Sequence, residues 1–179
     1  MTMSTILETS RLKLRRYSEG DVAELLPLIG TPEVAATTLR IAHPYTEQHA
    51  REFIASSQDA DKIWLAITLR SDGHQIGGIG LRLAPQHEHA ELGYWLAVAY
   101  WGKGYATEAA QEMLRYGFED LHLHRVSASH FKHNPASGRI LLKLGMRHEG
   151  CQREHLRKWD RFIDLELYGI LRQEWRTGE

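Results

Sequence analysis

Between Arg11 and Arg16, Leu12 and Leu14 alternate with charged residues, the period-two pattern of a half-buried strand. The period then lengthens. Ser18 with Asp21 three residues on reads as a helix start, and Ala23, Leu25, Leu26 and Ile29 supply its apolar side. Thr46 followed by Glu47 opens a second helical segment through Phe53 and Ile54. Ile63 to Leu69 is rich in β-formers, Ser71-Asp72-Gly73-His74 is a turn, and Ile76 to Leu83 resumes the strand pattern, so a hairpin is expected. A third strand spans His89 to Ala97. After Trp101-Gly102-Lys103-Gly104, the residues Ala106, Ala109, Ala110, Met113, Leu114 and Gly117 recur at helical spacing. Arg125 to Phe131 reads as a short strand. Asn134-Pro135 then offers an N-cap and a first-turn proline to a helix with Ile140, Leu141, Leu142 and Leu144 on its apolar face, ended by Gly145. Two last strands are expected near Arg147 to His155 and Phe162 to Leu171. This order predicts an α+β domain with a mixed sheet.

Composition narrows the function classes. A chain of 179 residues with 42% apolar content suits one domain, without linker or repeat, and at this size about 70% of the unfolded surface can be buried. A net charge of −1 with no basic run argues against a nucleic-acid partner. The longest mostly apolar stretch without a charge, Leu92 to Gly102, is well short of the roughly 18–20 residues that span a bilayer, so no membrane association is expected. Met1 to Ser10 lacks the basic start and apolar stretch of a targeting segment, and Cys151 is the single cysteine. A cytoplasmic location is the resulting expectation.

Candidate chemistry enters where the third strand gives way to the next helix. Glu91-Leu92-Gly93-Tyr94-Trp95-Leu96 runs on into Tyr100-Trp101-Gly102-Lys103-Gly104-Tyr105-Ala106-Thr107-Glu108-Ala109. Free N–H groups at a helix start, approached closely over small residues, form an anion site suited to a phosphate or pyrophosphate. The helix dipole adds to it, and Lys103 can add a point charge. The same glycines also suit a plain tight connection. Neither the P-loop pattern nor the full dinucleotide fingerprint is present.

The segment resembles the acyl-CoA motif of the GNAT N-acetyltransferases: Gln or Arg, two residues, Gly, one residue, then Gly or Ala. Gly104 and Ala106 hold the small positions. Trp101 on the Gln/Arg position departs from the general pattern but is similar to the subgroup of ribosomal-protein alanine N-acetyltransferases (RimJ/RimL-like). Asn134-Pro135-Ala136-Ser137, Leu144-Gly145-Met146-Arg147-His148-Glu149-Gly150, the Thr9 to Arg15 start and the Asp164 to Tyr168 stretch resemble the same subgroup, so the likeness covers residues 8–175 as a single domain. It implies a mostly antiparallel sheet flanked by helices, with a splayed strand pair at the acyl-CoA site. It implies acetyl-CoA as co-substrate, its pantetheine arm along the backbone of Leu96, Ala97 and Val98, and its pyrophosphate on the amides of Gly102, Lys103, Gly104, Tyr105, Ala106 and Thr107. Asn134 is implied near the pantetheine or acetyl group, although its Asn-Pro context equally suits an N-cap.

Acetyl transfer to an amine needs a neutral nucleophile, stabilisation of charge on the carbonyl oxygen and a proton for the leaving thiolate. An α-amine costs only about 0.5–1 kcal/mol to deprotonate near pH 7.4, against roughly 4 for a lysine. Glu91 is the candidate base, working through a water, with a solvated strand carboxylate as the plain alternative. Ser137 is the candidate acid by its place in the subgroup's motif, which also implies it beside the bound cofactor, and a helix-start side chain bonding its own backbone is the alternative. Tyr168 and Tyr105 are further proton donors, and a backbone N–H near Leu96 suits the carbonyl oxygen.

The eleven histidines, His87 and His89 sharing a strand face among them, match no metal-ligand spacing, so no metal is expected. Cys151 suits a buried or half-buried strand. Arg11, Arg15, Arg16, Arg153, His155, Arg157, Lys158 and Arg161 would favour an acidic acceptor if they gathered at the acceptor groove, to which Trp159 and Asp160 are further candidates. The reading is an acetyl-CoA-dependent N-acetyltransferase acting on a protein N-terminal amine. The alternatives are a small-molecule amine and an acyl-CoA-binding module without turnover. A homodimer is left open.

Overall fold

The β-formers and turn residues between Ile63 and Leu83 form the expected hairpin, at the centre of the sheet. A computed structural model describes residues 6–175. In chain order it holds β1 (Ile6–Glu8), β2 (Leu12–Arg16), α1 (Val22–Ile29), α2 (Pro32–Ala36), α3 (Glu47–Ser56), β3 (Lys62–Leu69), β4 (Gln75–Ala84), β5 (His89–Leu96), α4 (Tyr105–Arg115), β6 (Arg125–Phe131), α5 (Pro135–Lys143), β7 (Arg147–Lys158) and β8 (Arg161–Leu171). The strands make one sheet in the order β1-β2-β3-β4-β5-β6-β8-β7, antiparallel throughout except for the parallel pair β5–β6. The class is α+β, with a mixed, mostly antiparallel sheet.

Alternation along the central strands sorts their side chains into two cores. Ile63, Leu65 and Ile67 of β3, Ile79 and Leu81 of β4 and Leu92 of β5 pack with Ala106, Ala109, Ala110, Met113 and Leu114 of α4. The alanines let α4 lie close to the sheet, and burial of Met113 and Leu114 contributes about 1.5–3 kcal/mol each. Trp64 and Ala66 of β3 and Trp95 of β5 point to the opposite face, against Tyr17, Leu25 and Ile29 and the α3 residues Ala50, Phe53 and Ile54.

The parallel pairing that joins the two halves of the sheet is short. β5 and β6 stay in register from His89–Arg125 to Leu92–Ala128. Beyond that, β5 continues along β4 to Leu96 while β6 continues along β8 to Phe131. The two strands splay apart after Leu92, and the wedge between them opens at the start of α4.

Several local expectations are corrected. β1 and α2, of three and five residues, are too short to display a period. β7 is an edge strand with mostly exposed side chains, so Cys151 is exposed rather than half-buried. Its many charges suit an edge that must not pair with another chain. His87 lies in a single 3-10 turn ahead of β5 and shares no strand face with His89, whose Nε2 is 2.8 Å from Ser127 Oγ. Asn134 is the N-cap residue of α5 by position, but its side chain makes no capping hydrogen bond. No helix among the described residues is long and apolar enough to cross a membrane.

The turn into α1 is held by a buried carboxylate. Asp21 accepts hydrogen bonds from both Arg15 Nη atoms at 2.9 and 2.7 Å and from the Ser18 N–H at 2.7 Å. Burial disfavours its charge, but these donors and the guanidinium's own charge outweigh that and hold its pKa below the ordinary aspartate value. Asp21→Asn is expected to cost about 2 kcal/mol at pH 7, discounted from a fully buried pair because Arg15 is partly exposed. Because the folded pKa lies below the unfolded one, this contribution is complete above pH about 4 and is lost as pH falls through the lowered folded value. Urea unfolding of both proteins at pH 7 and pH 2.5 checks it; a gap of equal size at both would contradict the assignment.

Candidate active site

The loop between β5 and α4 is set by glycine. Gly104 is the N-cap of α4 at φ 82°, a left-handed conformation that other residues adopt at a cost, and it has no side chain to cover the helix start. The first α4 bond returning to the cap is Glu108 N–H to Gly104 O at 3.0 Å, so the N–H groups of Tyr105, Ala106 and Thr107 precede the helical ladder and point out of the helix end. A positive helix end lined by amides and small residues can hold a pyrophosphate.

Glu108 ties this loop to the start of the chain. Its carboxylate accepts from Thr9 Oγ1 at 2.6 Å, Ser10 Oγ at 3.0 Å, and Arg11 N–H and Nε at 2.9 and 2.6 Å. Burial works against the charge, but these four bonds together hold the carboxyl below the usual glutamate value. Arg11 in turn donates to the Lys103 carbonyl at 3.1 Å and lies 4.5 Å from the Tyr105 ring centroid. The Thr9-Ser10-Arg11 turn is thus a clamp on the glycine loop.

The wedge between β5 and β6 supplies the second set of backbone groups. Ala97 N–H donates to Ile76 O at 2.9 Å, so strand alternation turns the Leu96 N–H and C=O away from β4 and into the wedge. The Leu96 carbonyl accepts the Trp101 indole N–H at 2.8 Å. The Ala97 carbonyl accepts from Tyr100 N–H at 2.9 Å and the Val98 carbonyl from Trp101 N–H at 3.1 Å. The backbone of Ala97 is therefore committed within the protein, and the Leu96 N–H is the donor that faces the wedge.

A cleft of about 990 Å³ runs through the wedge from one face of the sheet to the other. On the α4–α5 face it is lined by Gly104, Ala106, Asn134, Ser137 and Tyr94. Tyr94 OH lies 2.7 Å from Ser137 Oγ, and burial pushes the Tyr94 phenol up to about 12, so it stays protonated at neutral pH. On the opposite face the lining includes Glu91, Trp64, Phe53, Tyr45 and Ile41. The Trp64 indole lies across β4 and β5 because Gly80 and Gly93 leave that ground free; a Cβ on Gly80 would come within 2.6 Å of the indole and one on Gly93 within 3.0 Å. The segment from Thr37 to Tyr45 that closes this side is pinned by Lys158, whose Nζ donates to the carbonyls of Thr38 and Ile41; burial lowers the Lys158 pKa.

The sequence profile described as the acetyltransferase (GNAT) domain matches residues 11–147. The chain belongs to the GNAT family. It is an acetyl-CoA-dependent N-acetyltransferase, as GNAT proteins are. The uncharacterized N-acetyltransferase YoaA of Bacillus subtilis is 33% identical over 174 residues, covering 95% of this chain and 98% of YoaA. The ribosomal protein uS5 alanine N-acetyltransferase of Escherichia coli is 32% identical over 87 residues, 49% of this chain and 45% of that protein. The crystal structure of a GNAT acetyltransferase from Bacillus anthracis superposes with a TM-score of 0.85 at 27% identity, covering 94% of this chain and 99% of that one.

Within this GNAT enzyme, the sequence-derived residues Glu91, Leu96, Gly102, Gly104, Tyr105, Ala106, Thr107, Asn134 and Ser137 all line the one cleft. Ala97, Val98 and Lys103 do not line it. Tyr168 lies beneath Gly138, 3.5 Å from His130 Nε2 and outside the lining, so it is not placed as a proton donor there. Of the basic residues near the chain's two ends, only His155 lines the cleft; Arg11 and Arg15 are engaged by Glu108 and Asp21. Trp159 and Asp160 sit at the exposed tip of the β7–β8 hairpin, which offers His155 and Leu156 instead. Tyr94 is the residue that sequence reasoning missed; its signal was parity, since it alternates with Glu91 and Gly93 and so falls on the face where α5 packs. Among the described residues no group of three metal-ligating side chains comes together.

Proposed function

We propose that residues 8–175 act as one catalytic domain that acetylates a protein N-terminal α-amine, with Glu91 and Ser137 handling the protons from opposite faces of the sheet. The observation that carries this reading is the passage of one cleft through the wedge, with Ser137 on the α5 face and Glu91 on the α3 face. Gly102, Gly104 and the amides of Tyr105, Ala106 and Thr107 hold the pyrophosphate of acetyl-CoA, and Asn134 borders the arm that leads into the wedge. Glu91 is exposed, so a water reaches it and relays the proton from the incoming ammonium. The Leu96 N–H receives the thioester oxygen as negative charge builds on it. Ser137 gives its hydroxyl proton to the departing sulfur, Tyr94, hydrogen-bonded to it, passes its own proton to Ser137, and solvent water reprotonates Tyr94 as the products leave.

An α-amine suits a solvent-exposed carboxylate because its deprotonation costs about 3 kcal/mol less than that of a lysine near pH 7.4. The ribosomal-protein acetyltransferase among the relatives supports a polypeptide acceptor. A small-molecule amine is the second reading, favoured by the aromatic lining of the acceptor side. With a single cysteine in the chain, we place the protein in the cytoplasm.

The test is thiol release from acetyl-CoA at pH 7.4, with mass spectrometry of the product. The panel holds peptides with free N-termini, Nα-blocked peptides carrying a lysine, and small amines. Free N-termini are expected to react about 100-fold faster than the blocked lysine peptides. Turnover confined to small amines or to lysine would overturn the proposal.

A further inference from the structure

One charge on the acceptor side is not used by the chemistry above. β3, β4 and β5 bring Lys62, Arg82 and Glu91 into direct cross-strand register. They lie two residues along from Trp64, Gly80 and Gly93, so all three project to the face of the Trp64 indole. Lys62 is held by Asp59 at 2.6 Å. Arg82 is half-buried and lines the cleft beside Glu91, yet among the described residues it makes no ion pair and no side-chain hydrogen bond. Arg40, which also lines the cleft, is likewise without an ion pair among the described residues. Two other polar groups of this lining have partners: Glu52 accepts from Gln48 at 2.8 Å, and His49 Nδ1 accepts from Thr46 N–H at 3.1 Å.

An acceptor ammonium that settles at Glu91 also removes water from its cross-strand neighbour. A guanidinium stripped of water without a new acceptor is costly, and its planar fork matches carboxylate and phosphate oxygens. We infer that the acceptor carries an anionic group beside its reacting amine, and that Arg82 binds it. Directly opposed residues stand about 4.5–5.5 Å apart at Cα, so amine and anion lie close together in the acceptor. That spacing fits a free α-amino acid, or a peptide with an acidic residue directly after its N-terminus. The inference rests on the reading of the Glu91 face as the acceptor side.

Two arms of one experiment test it. In the first, free amino acids are compared with their C-terminal amides; in the second, peptides with Asp or Glu at position two are compared with the Asn or Gln versions. In at least one arm the anionic member is expected to have a kcat/KM about tenfold higher, mainly through KM. Arg82→Gln is expected to shrink that preference to about twofold or less, and Arg82→Lys to keep part of it. The thermal midpoint and the acetyl-CoA Kd report whether the variants are folded, and the wild-type comparison stands without them. Equal rates within both arms, a preference for the neutral members, no acetylation of any anionic member, or a preference that survives Arg82→Gln would each overturn the inference. If amino acids react and peptides do not, the N-terminal reading falls while this one stands. If peptides react regardless of position two and amino acids do not, the reverse holds.

Discussion

Glu91→Gln is expected to lower kcat about 100-fold at pH 7.4, and Ser137→Ala to do the same, the lower end of what a positioned acid or base contributes. Both variants should bind acetyl-CoA within about twofold of the wild-type Kd, because the donors of the glycine loop and of Leu96 are backbone groups that neither change touches. The two losses should differ in pH dependence. Without Glu91 the amine must reach the site already neutral, so the residual rate should climb through the α-amine range near pH about 8, where the wild-type rate is levelling off. Without Ser137, Tyr94 loses its 2.7 Å partner and water must protonate the sulfur, so the loss should be similar at every pH in that range. Stopped-flow or steady-state thiol release over pH 6.5–9.5, with calorimetric Kd values, separates these outcomes. Unchanged kcat in both variants would remove the proton-transfer scheme; a large Kd change would show instead that the residues build the cofactor site.

Gly80→Ala should destabilise the whole domain by about 3 kcal/mol. The added Cβ would lie 2.4 Å from the Ile63 carbonyl oxygen and 2.6 Å from the Trp64 indole, and the first of these is backbone of the paired strand, which has little room to yield. For a chain of this size each kcal/mol lowers the melting temperature by about 2–4 °C, so a drop of roughly 6–12 °C is expected by calorimetry. Displacing Trp64 also disturbs the wall beside Glu91 and Arg82, so the acceptor KM should rise more than the acetyl-CoA Kd. A melting temperature within about 2 °C of wild type would mean that β3 and β4 shift apart easily and that the indole is not held by this glycine.

Much of the fold was legible because its long elements carry their own local pattern. α4 and α5 each bury one face, so helical spacing marks them, while β3, β4 and β5 are runs of β-formers bounded by turn residues and buried largely on both faces between the two cores. The glycine loop was legible for a different reason: a left-handed N-cap at Gly104 and an uncovered helix start demand particular residues at particular spacing. β1 and α2 were not, being shorter than the periods that would reveal them. Cys151 was misread because β7 is an edge strand with little to bury, a property of its neighbours rather than of its residues.

The candidate site divides along the same line. Glu91, Asn134, Ser137 and the glycine loop stand out in the chain itself, because a motif at a strand-to-helix junction is local. That Ala97 has no backbone group left to offer depends on Ile76 and Tyr100, which fold against it from two other segments. Tyr94 joins Ser137 across 43 positions of sequence, and Arg82 meets Glu91 only through strand register. Sequence alone thus determined the order of the longer elements, the family and the glycine-led start of α4, all of which rest on contacts among near neighbours. Tertiary structure alone decided which side of the sheet each side chain faces across the wedge, because register and splay are set by the packing of distant strands against two separate cores.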